Sequence, residues 1–254
     1  MSVEAGIHAR SSVPAEAGAP VRRVSPRRVL SAATLAAWAG LFWYLIASGQ
    51  TSLYLSSRTA WVVPVGAILL TIAGVGRLLS LRSARPEPLR LSEAASGALV
   101  VLPVVVVLAL PPATLGTFAA SRRSSLAGAG FAGSAGDIST GEVTLVDVAA
   151  ALRSKEAMQS LVKRAGSDVS FVGFVSRDPS MPADEFSLTR FLISCCAADA
   201  LTVQTRVVGA PAGKFHDDDW VRVEGQIFPL GREVLVDAAS VAKVSRPAHP
   251  YLNP

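Results

Sequence analysis

Three long stretches without a charged side chain constrain this chain more than any other feature. Val29 to Ala47 reads VLSAATLAAWAGLFWYLIA, Ala60 to Gly76 reads AWVVPVGAILLTIAGVG, and Ala94 to Thr117 is centred on LVVLPVVVVLAL. A helix needs about 20 apolar residues to cross the hydrocarbon core of a bilayer. Helices in the core of a soluble protein seldom run so far without a polar side, because one face usually meets water. The stretches therefore predict two to three transmembrane helices, at about 29–48, 60–81 and 94–116, in a helical region spanning 29–117. The third is interrupted by Pro103 and closed by Pro111-Pro112, and its valine run would also suit a buried strand. Tyr54 and Trp61 fall where an aromatic belt would meet the membrane interface. The first stretch is longer than the apolar region of a cleaved signal peptide, so it reads as a retained anchor.

Charge then gives an orientation. Only 17% of residues are charged, against about 25% in soluble domains, and the basic ones bracket the apolar stretches. Arg22, Arg23, Arg27 and Arg28 precede the first, and Arg77, Arg82, Arg85 and Arg90 lie between the second and third. Arg58 lies between the first and second, while Arg122 and Arg123 follow the third. With a cytoplasmic N-terminus the first eight of these arginines flank the stretches on the inside and the other three on the outside. The positive-inside bias thus predicts a plasma-membrane protein, N-terminus inside and C-terminal domain outside after three crossings. Two crossings would reverse the sidedness of that domain. The basic residues do not interleave with aromatics as a nucleic-acid strip would, so the net charge of +5 reads as a topology signal and no nucleic acid is expected.

Outside the apolar region, residues 1–28 form a basic tail read as disordered, and 118–140 read as a flexible Gly- and Ser-containing linker. Residues 141–254 then predict an α+β domain. Thr144 and Asp147 form a capping-box-like start, and apolar residues recur at helical spacing to Gly166. Five strand candidates follow: 169–175, Phe186 to Cys196, 201–208, 220–228 and 234–244. Five short strands in so short a span suggest a small antiparallel OB-like β-barrel, because closure removes exposed edges. Gly173 and Gly225 suit bends or bulges, and the apolar parity shift between Phe186-Leu188 and Phe191-Ile193 suggests a bulged second strand.

Chemistry-bearing residues are few. Cys195 and Cys196 are the only cysteines and are adjacent, followed by Asp199. Neighbours on a regular strand point to opposite faces, so they would converge only if the chain turns there. Three readings stand: thiols as packing, a strained vicinal disulfide, or a soft-metal or thiol-exchange site using Asp199. His216 and Asp217, in the run HDDD, are weaker metal candidates and suit a solvated turn at least as well. Arg190 and Glu224 could pair across the sheet. No P-loop, nucleophile elbow or HExxH occurs, so no enzymatic activity or catalytic residue is implied, and a cofactor is left open.

The runs FVGFVSRDP (171–179), DEFSLTRFLISCCAADA (184–200), DDWVRVEG (218–225) and VLVDAASV (234–241) resemble the YcgQ-type family of bacterial membrane proteins. YLSSRTAWVVPVGAILLTIAG (54–74), LPPATLGTFAASRR (110–123) and the closing PYL are similar to it as well, so the resemblance covers 29–254. It implies the small subunit of a two-component permease, with a larger multi-pass subunit and the lipid bilayer as partners. The expectation is thus an accessory permease subunit whose outer β domain gates, caps or binds a small solute or metal. The alternatives are a membrane-tethered thiol or metal sensor or redox protein, and a structural assembly factor without ligand.

Overall fold

The computed structural model describes residues 23–83, 88–110, 114–122, 141–231 and 233–253. The predicted tail up to Arg22 and the linker over 123–140 lie outside the described residues. Among the described residues, three helices are long and apolar enough to cross a membrane: α1 (Pro26–Ala47), α2 (Val62–Leu79) and α3 (Leu91–Ala109). Proline at the start of α1 suits a position whose N–H has no helical partner, and Gly49 in the left-handed region (φ 68°) follows the helix end. The valine run is helical throughout, with Pro103 inside α3. α3 stops well short of 116 because Leu110, preceding Pro111, is extended (φ −87°, ψ 139°), as a residue before proline prefers.

α1 is the central helix. Leu41 and Leu45 pack with Val104 of α3. Trp38 Nε1 donates to the Val100 carbonyl at 3.1 Å, and Trp43 Nε1 to Thr71 Oγ1 of α2 at 3.1 Å. In α3 the most apolar window is only 6% buried, against 22% in α1, so the outer surface of α3 is almost bare of protein. At one end of the bundle β1 (Arg23–Val24) pairs antiparallel with β2 (Arg82–Ser83), tying the start of α1 to the segment after α2. The loop from α1 to α2 and the exit of α3 lie at the other end.

The C-terminal domain starts with α5 (Leu145–Ala151) and α6 (Lys155–Val162), after a short α4 (Thr117–Arg122). The expected capping box is present: Asp147 N donates to Thr144 Oγ1, and Thr144 N to the Asp147 carboxylate. Instead of one helix to Gly166 there are two, because Ser154 caps a new start by accepting from Ala157 N at 3.3 Å. Five strands follow: β3 (Asp168–Ser176), β4 (Phe186–Leu192), β5 (Leu201–Val208), β6 (Trp220–Leu230) and β7 (Glu233–Lys243). They close into a barrel in the order β3-β4-β5-β7-β6, the OB-like arrangement. All pairings are antiparallel except β5–β7, which is parallel because β6 intervenes between them in sequence.

Val175, Phe186, Leu188, Val203, Val207, Val221, Val223, Ile227 and Val236 fill the barrel, and Val148 and Leu161 bring α5 and α6 into the same core. Each such side chain contributes about 1.5–3 kcal/mol on burial. The irregularity predicted for the second strand falls elsewhere. β4 pairs with β5 without a break from Phe186↔Val207 to Leu192↔Leu201. Its apparent parity shift arises because both faces are buried: Phe186, Leu188 and Leu192 point inward, while Phe191 and Ile193 join an outer cluster with Phe174, Ala200 and Tyr251. The irregularity lies between β6 and β7: Glu224 pairs with Ser240 and Gly225 with Ala238, so Ala239 of β7 is the extra residue, and a Cβ on Gly225 opposite it would lie 2.0 Å from the Asp237 carbonyl oxygen.

Candidate functional site: a dithiol turn seated on the helix loop

β4 ends at Leu192 rather than running on to Cys196, and Asp199 is the reason. Its carboxylate accepts from Ser194 N at 3.1 Å and from Cys195 N at 2.8 Å, which folds the chain into a turn. A short 3₁₀ segment, Ala197–Asp199, completes that turn. The strand alternation that would separate neighbouring side chains is lost, and the two Sγ atoms come within 3.6 Å as free thiols. Cys195 is exposed and Cys196 half-buried.

The same turn is the seat of the α1–α2 loop. The Cys195 carbonyl accepts from Ser56 N at 3.2 Å and from Thr59 Oγ1 at 2.6 Å. Ala197 N donates to the Tyr54 carbonyl at 2.8 Å, and Leu55 bridges to Cys196 in antiparallel fashion. Alongside, Ser52 Oγ donates to the Ala248 carbonyl at 2.8 Å and Ser57 N to Asn253 Oδ1 at 3.4 Å. Leu53 and Ser56 are buried there. Backbone groups dominate this junction, so its geometry depends on the turn more than on side-chain identity.

A second junction lies at the exit of α3. Thr117 donates to Asp218 Oδ1 from both N (2.6 Å) and Oγ1 (2.8 Å), and Leu115 N donates to the Tyr251 hydroxyl at 3.3 Å. Gly116 permits this approach, since a Cβ there would sit 2.6 Å from Asp218 Oδ1. Residues 118–122, read from sequence as the start of the linker, therefore belong to the helix Thr117–Arg122 docked on the barrel, with Ala120 in the outer cluster.

Electrostatics keep the exposed thiol protonated. Hydrogen bonding to the Asp199 carboxylate, then to the Cys196 sulfur, with some burial, raises Cys195 to about 11. Asp199 itself is lowered: burial pushes it up, but hydrogen bonds from the Cys195 thiol and from the Cys195, Ser194 and Cys196 amides outweigh that. At neutral pH Cys195 is a proton-bearing thiol rather than an activated nucleophile, because the thiolate is the reactive form.

His216 and Asp217 do not join this cluster. His216 is exposed and its backbone N–H donates to Asp219 Oδ2 at 3.1 Å, while Asp217 Oδ1 accepts from Arg177 N at 2.8 Å. Asp219 binds Lys243, which lowers its carboxyl. The acidic run is thus divided among three structural tasks. Among the described residues, no three His, Cys, Asp or Glu side chains are grouped to hold a metal ion. Arg190 and Glu224 are not partners either: Glu224 accepts from Ser240 Oγ. Arg190 donates to the carbonyls of His249 (2.7 Å) and Pro250 (3.2 Å) beneath the Trp220 ring, and its burial lowers its pKa. This arginine, which pins the C-terminal segment to the barrel, was not anticipated. A lone arginine in an apolar strand, with PAHPY (247–251) near the end of the sequence, is the faint signal that was present.

Residues 146–254 match the family model of the DUF1980 C-terminal domain. The match begins inside α5 and takes in the barrel, the dithiol turn and the C-terminal segment, and leaves α1–α3 outside it. No curated protein and no solved structure matches the chain. The match thus supports kinship over the barrel and does not reach the helices or the permease role implied by the YcgQ-type resemblance.

Proposed function

We propose that this chain is a non-enzymatic accessory subunit of a membrane permease complex. α1–α3 sit in the plasma membrane with the N-terminus cytoplasmic, and the barrel lies on the extracytoplasmic side, where it caps or gates the pathway of a larger multi-pass partner. The observation that carries this reading is the bareness of α2 and α3. Each packs on α1, and their remaining surfaces expose Leu69 and Ile72 on α2 and Leu99 and Leu102 on α3. Three helices without a charged residue at mid-span offer no ion path of their own, whereas they do offer helix faces to a partner. The arginine count supports the orientation, and the two barrel junctions both lie at the end opposite the basic one.

A photo-activated cross-linking residue at Leu102 or Ile72 tests this in intact cells. Both positions should join to one multi-pass membrane protein, while the same residue at buried Ala39 should not. A chain that stays un-cross-linked from both exposed positions would remove the permease reading. A second reading, a soft-metal sensor, has one observation in its favour: two thiolates about 2.3 Å from a tetrahedral ion stand about 3.8 Å apart, near the 3.6 Å seen here. Metal binding would have to displace the Cys195 proton held by Asp199, so it would strengthen with pH. Equilibrium dialysis of the full chain with Zn²⁺ at pH 7 and pH 9, for wild type and Cys195→Ser, decides this reading. No uptake at either pH sinks it.

A further inference from the structure

A cleft of about 550 Å³ opens between α1, α2 and α3 at the end of the bundle away from the barrel. Its floor is built where α1 meets its two neighbours. A Cβ on Gly97 of α3 would lie 3.0 Å from Leu30, and one on Gly74 of α2 would lie 3.9 Å from Leu35. Leu30 and Leu35 line the cleft, and Arg27, Arg77, Ser31, Ser92 and Ser96 stand around it. Its lining is therefore apolar at the base, hydroxylated along the wall, and cationic beside it.

The charges are not all spoken for. Glu93, also in the lining, pairs with Arg27 at 3.3 Å and accepts from Arg90 N at 3.3 Å. The Arg77 guanidinium, in the last turn of α2, has no ionic or hydrogen-bonding partner among the described residues. It is exposed at the level where the uncharged run of α2 ends. Exposed Val75, Leu78 and Leu79 on α2 lie near its end on the cleft side of the bundle. A partner helix would bring an apolar face to a cleft holding two arginines, a glutamate and several hydroxyls, a poor match. An amphiphile with an anionic head fits both halves.

We infer that this cleft binds an anionic phospholipid, its phosphodiester on Arg77 beside Ser92 and an acyl chain along Leu30 and Leu35, while the Ser31 and Ser96 hydroxyls, which donate to the Arg28 and Ser92 carbonyls, only line the wall. Basic pockets between transmembrane helices suit such headgroups, because cation and anion meet in the interfacial layer where screening is weaker than in bulk water. Arg77 also lies favourably for the dipole of α2, and that role alone would require no cleft. Filling the cleft without touching charge separates the two. The inference rests on the membrane reading above. A chain that stays in the supernatant without detergent would remove both, whereas failure of the lipid assay alone leaves the membrane reading in place.

The test uses the full chain purified in neutral detergent. Native mass spectrometry would count retained phosphatidylglycerol and phosphatidylcholine offered at equal concentration, and thermal midpoints would be read in parallel. Phosphatidylglycerol should be retained at least about fivefold better, the effect of roughly one arginine near an anionic surface. Arg77→Gln should lose that preference and Arg77→Lys should keep most of it. Ser96→Leu should abolish retention with the charge intact, and Arg58→Gln, on the barrel-side loop, should change nothing. Equal retention of both lipids by wild type, or preference untouched by Arg77→Gln and Ser96→Leu, overturns the inference. Stabilisation by inorganic phosphate equal to that by phosphatidylglycerol overturns the lipid as the ligand.

Discussion

Replacing Asp199 with asparagine should switch on the Cys195 thiol, and the size of the effect follows from the geometry of the turn. With its pKa raised to about 11 by the neighbouring carboxylate, about one Cys195 in a thousand is a thiolate at pH 8. An unperturbed cysteine, near 8.5, would be about one quarter ionised there. Removing the charge therefore gains at most about two hundredfold in thiolate, because the Cys196 contact and burial, which also raise Cys195, remain. Part of this is lost because a less basic thiolate is a weaker nucleophile. With a Brønsted slope of about 0.4–0.5, a fall of about 2.5 pKa steps costs about tenfold. The net prediction is that Cys195 in Asp199→Asn alkylates faster at pH 8, by up to about twentyfold, with the inflection of the pH–rate profile moving down from about 11. Timed iodoacetamide labelling of the full chain, quenched and resolved by peptide mass, reads each cysteine separately. Cys196 serves as the internal control: if both thiols accelerate together, the turn has opened and charge is not the cause. An unchanged Cys195 rate would refute the electrostatic account of this site.

The remaining predictions concern the junctions and the barrel. Thr59→Val removes the 2.6 Å hydrogen bond to the Cys195 carbonyl and should loosen the loop by about 1 kcal/mol. Hydrogen exchange would report it as faster exchange at Ser56 and Ala197, and unchanged protection there would show that this bond does not hold the seat. Gly225→Ala, whose Cβ would fall 2.0 Å from the Asp237 carbonyl oxygen, should cost about 3 kcal/mol, the upper end for overpacking. Gly40→Ala, which meets nothing within 4 Å, is the control, and an equal shift in thermal midpoint for both would contradict the bulge argument. The pH dependence of stability has two limbs with opposite signs. Asp199 and Asp219 are lowered from 3.8, so their contribution is present above that value and fades as pH falls below it. Cys195 is raised, so its contribution is complete below its unfolded value and fades as pH rises toward about 11. Thermal midpoints from pH 2.5 to 11 should fall at both ends, and Asp199→Asn should flatten both limbs; an alkaline limb unaltered in that variant would count against the linkage.

What the sequence showed, and what it concealed, divides along the range of the forces involved. The membrane helices were legible because an uncharged run of that length has few other solvents, and the strands β5 and β6 because alternation continues along their whole length. The two thiols could be located but not their relation. Whether Cys195 and Cys196 converge depends on Asp199 capturing the amides of Ser194 and Cys195, a contact four to five residues long in sequence but set by where β4 stops. β4 was misread for a related reason. Periodicity assumes one wet face, and this strand has none, so apolar residues at both parities looked like a bulge. The break between α5 and α6 was written in Ser154, but the helical spacing of apolar residues continued across it and masked the cap. Arg190 and the loop seat were concealed because their partners are main-chain carbonyls and amides, which carry no residue-specific signal.

The two junctions also bear on what the barrel can do. In OB-like barrels the outer face of the second and third strands is the usual place for a ligand. Here the corresponding face of β4 is closed by the chain itself: Phe191 and Ile193 are covered by Tyr251 and the α4 region, and Thr202 on β5 is buried as well. A surface that binds an external strand or sugar elsewhere is spent on holding the barrel to the helices. The barrel is consequently attached at the α1–α2 loop and at the exit of α3, so a shift of α1 and α2 relative to α3 must be absorbed at one of the two seats. The Thr117–Asp218 seat rests on a side-chain carboxylate gripping one threonine, whereas the dithiol seat is a ladder of main-chain bonds bent by Asp199. Strain applied by a partner helix on α2 or α3 would therefore be felt first at Asp218, and Asp218→Ala should free the α3 exit while leaving the Ser56 and Ala197 amides protected. If exchange instead rose at the dithiol turn and not at Thr117, the two seats would be one cooperative unit, and the barrel would move with the loop as a single body.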